Sequence, residues 1–453
     1  MIVAFVIYSR FVGLDWGLPY AMHPDERNMA NALQRLHCEI QNPKLQIQDC
    51  LNPHFFAYGQ LPLYVGYFLV KLNHILRSVK IDYISLEEAI YSLRLISAFA
   101  SIGIVWVLHK TIKLLIKPSE KVGLLLILFI STVPFSIQFA HFGTTESLLM
   151  FFYIGLVYVS LLFINKAISV EKYIFFSGLT FGLAMGTKLS SAVFVFIPIF
   201  AMFFGVFEKE KPASIFKIFF GLVHFATLTL IFFLVSSPHN LISLSEFVGS
   251  MTYESGVGLG SLKVFYTRQF EFAQPYIFQI THVFPYTLGW PIFIFSIFGL
   301  FLLPFNMSFN FLRITIIIFV LFHFSLYAKW SRFIAPLYPL MLLEAGLFVG
   351  NLFSKIEKVR LWHKFFIVFL VLISIIPGIA YLSIYTNKDV RFVSSNWIYQ
   401  NLKKQNSKTI TETANVVDIP IPDPEAPQDA RFQNYLMTSF NFYELDNERH
   451  VER

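Results

Sequence analysis

Long apolar runs broken by short polar connections set the rhythm of this chain. The runs fall at Met1–Leu18 and Tyr58–Leu76, then near 91–109, 122–140, 146–164, 173–187, 189–207, 217–236, 285–304, 312–328, 333–353 and 364–385. Several contain 18 or more residues. At about 1.5 Å of rise per residue, a helix of that length crosses roughly 30 Å of hydrocarbon. The pattern predicts an all-α polytopic membrane protein.

The connections orient it. Lysine and arginine collect in cytoplasmic loops, and "HKTIKLLIKPSEK" at 109–121 carries Lys110, Lys113, Lys117 and Lys121 against one Glu. If residue 1 is inside and Tyr58–Leu76 crosses fully, that lysine loop falls outside. The conflict disappears when Tyr58–Leu76 lies along the outer interface or re-enters. Gly59, Pro62 and Gly66 weaken a straight span there, and Tyr58, Tyr64 and Tyr67 suit headgroup level. Eleven crossings follow. Lys166 with Lys172, "EKEKPASIFK" at 208–217, Arg313 and "SKIEKVRLWHK" at 354–364 then fall inside with the first basic loop. Outside fall His141–Glu146, Lys188, Ser237–Phe284, Lys329–Arg332 and the tail from about Thr386.

The chain thus divides into a transmembrane domain over 1–385, with a first exterior loop at about 19–90, and a small extracytoplasmic region over 386–453. In the tail, Arg391–Gln405 reads as an amphipathic helix with Trp397, Ile398 and Leu402 on one face. "KTITET" at 408–413 reads as a strand and "DIPIPDPEAP" at 418–427 as an extended loop. No internal repeat is visible.

Composition agrees: 56% of residues are hydrophobic and 14% charged, where soluble domains carry about a quarter charged. The 54 Phe suit a lipid groove, but a genome biased toward Phe, Ile, Asn and Lys codons explains them more cheaply. The net charge of +7 resides in loops, which signals orientation and not nucleic-acid binding. Cys38 and Cys50 share one polar loop without a CxxC, which disfavours zinc. They pair if that loop faces an oxidising compartment and are otherwise free thiols. The N-terminus, without a basic n-region or a small-residue cleavage site, is expected to be a retained anchor.

Against this background, ionisable residues gather on the outer rim. Asp25 and Glu26 follow the first run in "YAMHPDERNMANAL", His141 and Glu146 sit in "FAHFGTTESLL", and Lys188 in "GLAMGTKLSSA". His239 ends a run in "SSPHN", and Lys329 and Arg332 open another in "AKWSRFIAPLYP". Ionisable groups at membrane depth are costly and are functional candidates by default. Each also has a structural reading. Asp25 caps a helix beginning near Arg27, or activates a nucleophile. Glu26 pairs with Arg27 or Arg332, or reacts. Glu146 caps a helix starting at Ser147, or lines the site. Lys188 snorkels from a helix end, and Arg332 anchors the membrane edge, or both bind an anion.

Two carboxylates and two or three cations at a membrane surface fit displacement at the anomeric carbon of a lipid-phosphate-linked sugar. Negative charge grows on phosphate oxygens as the carrier leaves, and fixed Lys and Arg stabilise it. A carboxylate serves as base or orienting acceptor for the incoming group. Direct attack inverts the anomeric centre. The predicted function is a membrane glycosyltransferase moving sugar from a polyprenyl-phosphate donor to a glycolipid, cell-surface glycan or protein. It would act on the extracytoplasmic face of the cell membrane. A transporter or flippase is the alternative, and a non-catalytic scaffold a third; a transporter should show inverted repeats and midplane polar residues.

The ordered set "WGLPYAMHPDE", "YGQLPLY", "RLISAFASIGIV", "FAHFGTTESLLMFF", "GLAMGTKLSSAVFVFIP", "KWSRFIAPLYPLMLLEAG" and "RFVSSNWIYQNL" resembles the GT-C superfamily of integral-membrane glycosyltransferases. The likeness is to the branch of protein O-mannosyltransferases and the lipid A aminoarabinose transferase. The resemblance implies interfacial helices in the first exterior loop, matching Tyr58–Leu76. It implies that Asp25 is the catalytic carboxylate, with Glu26 beside it and Glu146 where the family commonly has Asp. It assigns Lys188 to the donor phosphate, with Arg332 and Lys329 as the basic residues before a proline-containing span. His23, Tyr58, His141 and His239 are candidate substrate contacts. The family's double proline reads "GQLP" here. The branch generally needs no metal, and no cofactor is expected.

Overall fold

We describe a computed structural model over residues 1–38, 49–78, 83–207, 214–355, 361–401, 408–412, 417, 419–421 and 436–440. Among the described residues the architecture is helical apart from one two-stranded ladder. In chain order the helices are α1 (Ile2–Phe11), α2 (Pro24–Gln34), α3 (Leu61–Leu76), α4 (Leu86–Ile116), α5 (Glu120–Ser131), α6 (Pro134–Gln138), α7 (Glu146–Ile164), α8 (Val170–Thr187) and α9 (Phe196–Phe207). There follow α10 (Ser214–Ser236), α11 (His239–Ile242), α12 (Leu244–Leu259), α13 (Phe284–Thr287), α14 (Trp290–Leu302), α15 (Met307–Phe324), α16 (Leu337–Lys355), α17 (Leu361–Thr386) and α18 (Val390–Asn401).

The expected eleven crossings are not confirmed. Among the described residues six helices are long and apolar enough to span, and eight if each of two bent pairs is one span. The bends have local causes. Pro134 opens α6 after the α5 hydrogen bonding has lapsed, turning the pair by 71°. Gly289, at φ 82, and Pro291 at the start of α14 turn the other pair by 115°. Hydropathy registers the length of an apolar run and not the break inside it. α1 has only 10 residues, half of what a straight crossing needs. α3 has 16 residues, about 24 Å at 1.5 Å per residue, also short of a perpendicular span.

Two packing features position the site. α8 carries Gly178, Gly182 and Gly186 at every fourth position, and a Cβ at any of them would strike α10 or the Ser236 at its end. Small residues at that spacing let two membrane helices approach backbone to backbone. α8 is thereby pressed onto α10 with its last turn at Lys188. Gly59 meets the same turn: its N–H donates to Thr187 O at 2.9 Å, and a Cβ there would overlap Gly186. Tyr58 is therefore held beside Lys188.

In the tail, β1 (Lys408–Glu412) matches the expected strand and pairs in parallel with β2 (Leu436–Phe440). α18 forms where a helix is expected, but its buried residues are Phe392 and Ser395, while Trp397 is exposed. Met22 and Ile421 provide the apolar seat that Phe392 occupies. Residues 402–405 of the expected helix and most of 418–427 lie outside the described residues, as do 208–213 and 356–360 of the basic loops.

Candidate active site

α2 begins at Pro24, suited to a first helical turn because its missing N–H costs nothing there. Its cap is His23, whose ring Nδ1 accepts the Glu26 N–H at 3.4 Å, so Asp25 is not the cap. Asp25 in that first turn instead forms an ion pair with Arg332. Arg332 stands in the turn Ser331–Ile334, which Tyr338 pins by donating its hydroxyl to Ser331 O at 2.8 Å. The guanidinium lies 5.0 Å from the Trp330 ring centroid, and its Nε is buried without a partner. Burial pulls Arg332 down to about 10.

Glu26, one residue on, points the other way. Its carboxylate takes two hydrogen bonds from Arg94, each 2.7 Å, and a third from the Gly143 N–H at 2.7 Å. Both side chains are fully buried. Arg94 also donates to Leu14 O and Trp16 O, each at 2.7 Å, and lies 4.5 Å from the Trp16 ring. Neither expected partner of Glu26, Arg27 or Arg332, holds it. The pair is a staple joining α2 and α4 to the loops on either side, and Glu26 has little capacity left for substrate.

Glu146 is the first residue of α7, with Thr145 in the cap position. Its Oε1 lies 3.4 Å from Lys188 Nζ and 3.4 Å from Thr145 Oγ1. Lys188 Nζ is 4.9 Å from the Tyr58 ring centroid and 5.8 Å from that of Phe333.

These groups border two adjoining cavities. The larger, about 730 Å³, is lined by His23, Asp25, Arg27 and Glu146 with aromatics including Phe142, Tyr253, Tyr266 and Trp330. The smaller, about 550 Å³, has mainly apolar walls, among them Leu149, Phe194, Met251 and Leu326, with Lys188 and His323. Ala57, Tyr58, Glu254, Arg332 and Phe333 line both. The two ion pairs therefore straddle the junction: Asp25 and Glu146 face the larger chamber, Lys188 the smaller, and Arg332 both. Burial, reinforced by Glu146, Glu254 and Tyr266, holds the Tyr58 hydroxyl well above its ordinary range. Burial pushes His23 down and Glu254 up, with Lys188 opposing the latter.

Three expected residues point elsewhere. Lys329 donates to Tyr327 O at 2.9 Å and Leu326 O at 3.3 Å, and borders neither cavity. His141 is buried with its ring nitrogens 2.7 Å from Ile137 O and 2.8 Å from Val12 O. His239 takes its place in a loop clasp: its N–H donates to Gln60 Oε1 at 3.0 Å and its Nε2 lies 2.9 Å from Cys50 O. Their rings serve carbonyls of the fold. Cys50 is itself disulfide-bonded to Cys38. Among the described residues no three His, Cys, Asp or Glu side chains converge as metal ligands. Sequence reasoning missed Arg94 and Glu254. A lone arginine inside the apolar run of α4 was a signal for the first; Glu254, in a long polar stretch, had none.

A family model described as dolichyl-phosphate-mannose-protein mannosyltransferase matches residues 84–239, and one for the Alg9-like mannosyltransferase family matches 273–423. No curated protein matches the chain in sequence. The fold is similar to that of ArnT from Cupriavidus metallidurans bound to undecaprenyl phosphate, with TM-score 0.55, 15% identity, and 97% of this chain and 85% of that one covered. It is also similar to the oligosaccharyltransferase AglB of Archaeoglobus fulgidus in complex with an inhibitory peptide and a dolichol-phosphate. There the TM-score is 0.56 and the identity 15%, over 88% of this chain and 57% of that one. Over nearly its whole length the chain therefore shares the fold of these membrane glycosyltransferases, and each of its halves is similar to a mannosyltransferase family.

Proposed function

We propose that this protein moves a sugar from a polyprenyl-phosphate carrier to an acceptor on the extracytoplasmic face, inverting the anomeric centre. The observation that carries the reading is the junction of the two chambers at Arg332. The apolar chamber suits the carrier lipid near its phosphate, with Lys188 and Arg332 to meet the oxygens on which charge accumulates as the sugar leaves. The polar chamber suits the acceptor, with Asp25 to receive its hydrogen bond and orient its attack. Donor and acceptor then meet from opposite sides of the anomeric carbon, the geometry of inversion. Glu146 keeps Lys188 aimed at the wall. The relatives support a lipid-linked donor, since one is described with undecaprenyl phosphate and another with dolichol-phosphate.

Sidedness is supported by two independent features. By the loop-charge pattern of the sequence, the basic connections fall on the side opposite Asp25 and Lys188. The Cys38–Cys50 disulfide in the first loop belongs in an oxidising compartment. Arg391 Nη1 donates to Met22 O at 3.0 Å, tying the described start of the tail to the first loop, which supports placing both on the same side. The test is incubation of the purified protein with radiolabelled polyprenyl-phosphate sugars and envelope membranes. Label is expected to pass to an acceptor with release of polyprenyl phosphate. Movement of intact labelled donor across proteoliposomes, without transfer, would favour a flippase instead.

A further inference from the structure

Glu254 stands apart from every other carboxylate at the site. Asp25 is ion-paired with Arg332, Glu146 with Lys188, and Glu26 is consumed by Arg94 and Gly143. Among the described residues Glu254 has no hydrogen bond or ion pair, although it lines both cavities. Its placement is built. Along α12, Phe247, Met251, Glu254 and Gly258 recur at helical spacing and share one face. Phe247 packs on Phe56 with ring centroids 6.3 Å apart, and Met251, Glu254 and Gly258 border the smaller chamber. The start of α12 is clasped to the first loop by His54 Nδ1 and Glu246 Oε2 at 3.1 Å, and by Asn52 donating to Ser243 at 3.1 Å. That clasp sets the carboxylate at the junction of the two cavities, on a residue that is itself exposed.

We infer that Glu254 is the proton acceptor for the incoming nucleophile, and that Asp25, committed to Arg332, orients that nucleophile. This rests on the reading of the site given above. In the step, the acceptor oxygen donates a lone pair to form the new bond to the anomeric carbon. The bond from that carbon to the phosphate oxygen breaks, and its electron pair stays on the departing polyprenyl phosphate. The acceptor's hydroxyl proton passes to the Glu254 carboxylate, and from there to water at the open mouth of the larger cavity. The groups around Glu254 are Lys188 from the end of α8, Tyr58 from the first loop, Tyr266 from the turn Phe265–Phe270, Arg332 before α16, and Glu146, Asp25 and His23 across the larger cavity.

Burial raises the proton affinity of Glu254, with Lys188 pulling the other way. A base works only when deprotonated, so activity should fall as pH drops through its raised value. That limb should lie above the range of an ordinary carboxylate. The experiment uses the full chain in nanodiscs with a panel of radiolabelled undecaprenyl-phosphate hexoses and pentoses and envelope membranes as acceptor, reading polyprenyl phosphate release against pH. Glu254→Gln should lower kcat by about 100-fold or more, lose the acid limb and leave donor KM and thermal stability unchanged. Sodium formate should restore Glu254→Ala by about tenfold, as a diffusible base entering the space left. A Glu254→Gln enzyme with near wild-type kcat and an intact acid limb would overturn the assignment. No turnover by the wild type with any donor would sink the reading of the whole site, a result distinct from failure of Glu254 alone.

Discussion

Asp25 and Glu26 are neighbours in sequence, each paired with an arginine, and they do opposite work. The Glu26–Arg94 pair is sealed: both side chains are fully buried, and the carboxylate takes three hydrogen bonds from protein. The Asp25–Arg332 pair is left ajar, its side chains 17% and 29% exposed at the junction of two cavities. Arg332 even keeps a buried Nε without a partner. A closed pair holds elements together; an open one retains charge and donors for a substrate. The difference comes from the helical turn of α2, which rotates successive residues about 100° apart. One carboxylate thus enters the protein while the next faces the cavity.

The contrast can be broken from either side. The largest effect should come from Arg94→Met, which leaves Glu26 charged and buried. Loss of one partner of a buried pair typically costs about 3–5 kcal/mol, enough to deplete folded protein, as thermal unfolding and yield in membranes would show. Arg94→Met with Glu26→Met should recover part of that loss. Asp25→Asn should act on chemistry instead: transfer falls by about 10²-fold through lost orientation of the acceptor, while thermal stability shifts by no more than about 1 kcal/mol, as for a partly exposed pair. Steady-state transfer beside a melting curve checks both. Lys188→Ala should come next, lowering transfer by about 10²–10³-fold through lost stabilisation of the leaving phosphate, with weaker retention of undecaprenyl phosphate. The smallest effect belongs to Lys329→Met, whose ammonium serves Tyr327 and Leu326 carbonyls and borders neither cavity. Donor kinetics should stay within a few-fold of wild type, with a stability cost of about 1–3 kcal/mol.

What the sequence disclosed follows the same division. Asp25, Lys188 and Arg332 were legible because a charge beside an apolar run is costly and therefore conspicuous. Direction was not legible. Lys329 and His239 carry the same chemistry as the residues that line the cavities, and only the fold turns them toward carbonyls. Glu254 was hidden for the opposite reason: in the polar stretch Ser237–Phe284 one more acid is unremarkable until α12 lays it over the junction. The partner of Glu26 lies 68 positions away, beyond any local pattern. Apolar runs located the helices, but the eleven crossings are not confirmed among the described residues, where apolar helices such as Ile2–Phe11 and Leu189–Gly205 are too short for a straight span.

The most direct test is a cryo-EM map of the full chain in nanodiscs with undecaprenyl phosphate. The account predicts phosphate density against Lys188 and Arg332, with the first isoprene units in the chamber walled by Leu149, Phe194 and Leu326. Phosphate density away from both cations, or a lipid seated in the chamber of Asp25 and Tyr266, would contradict it.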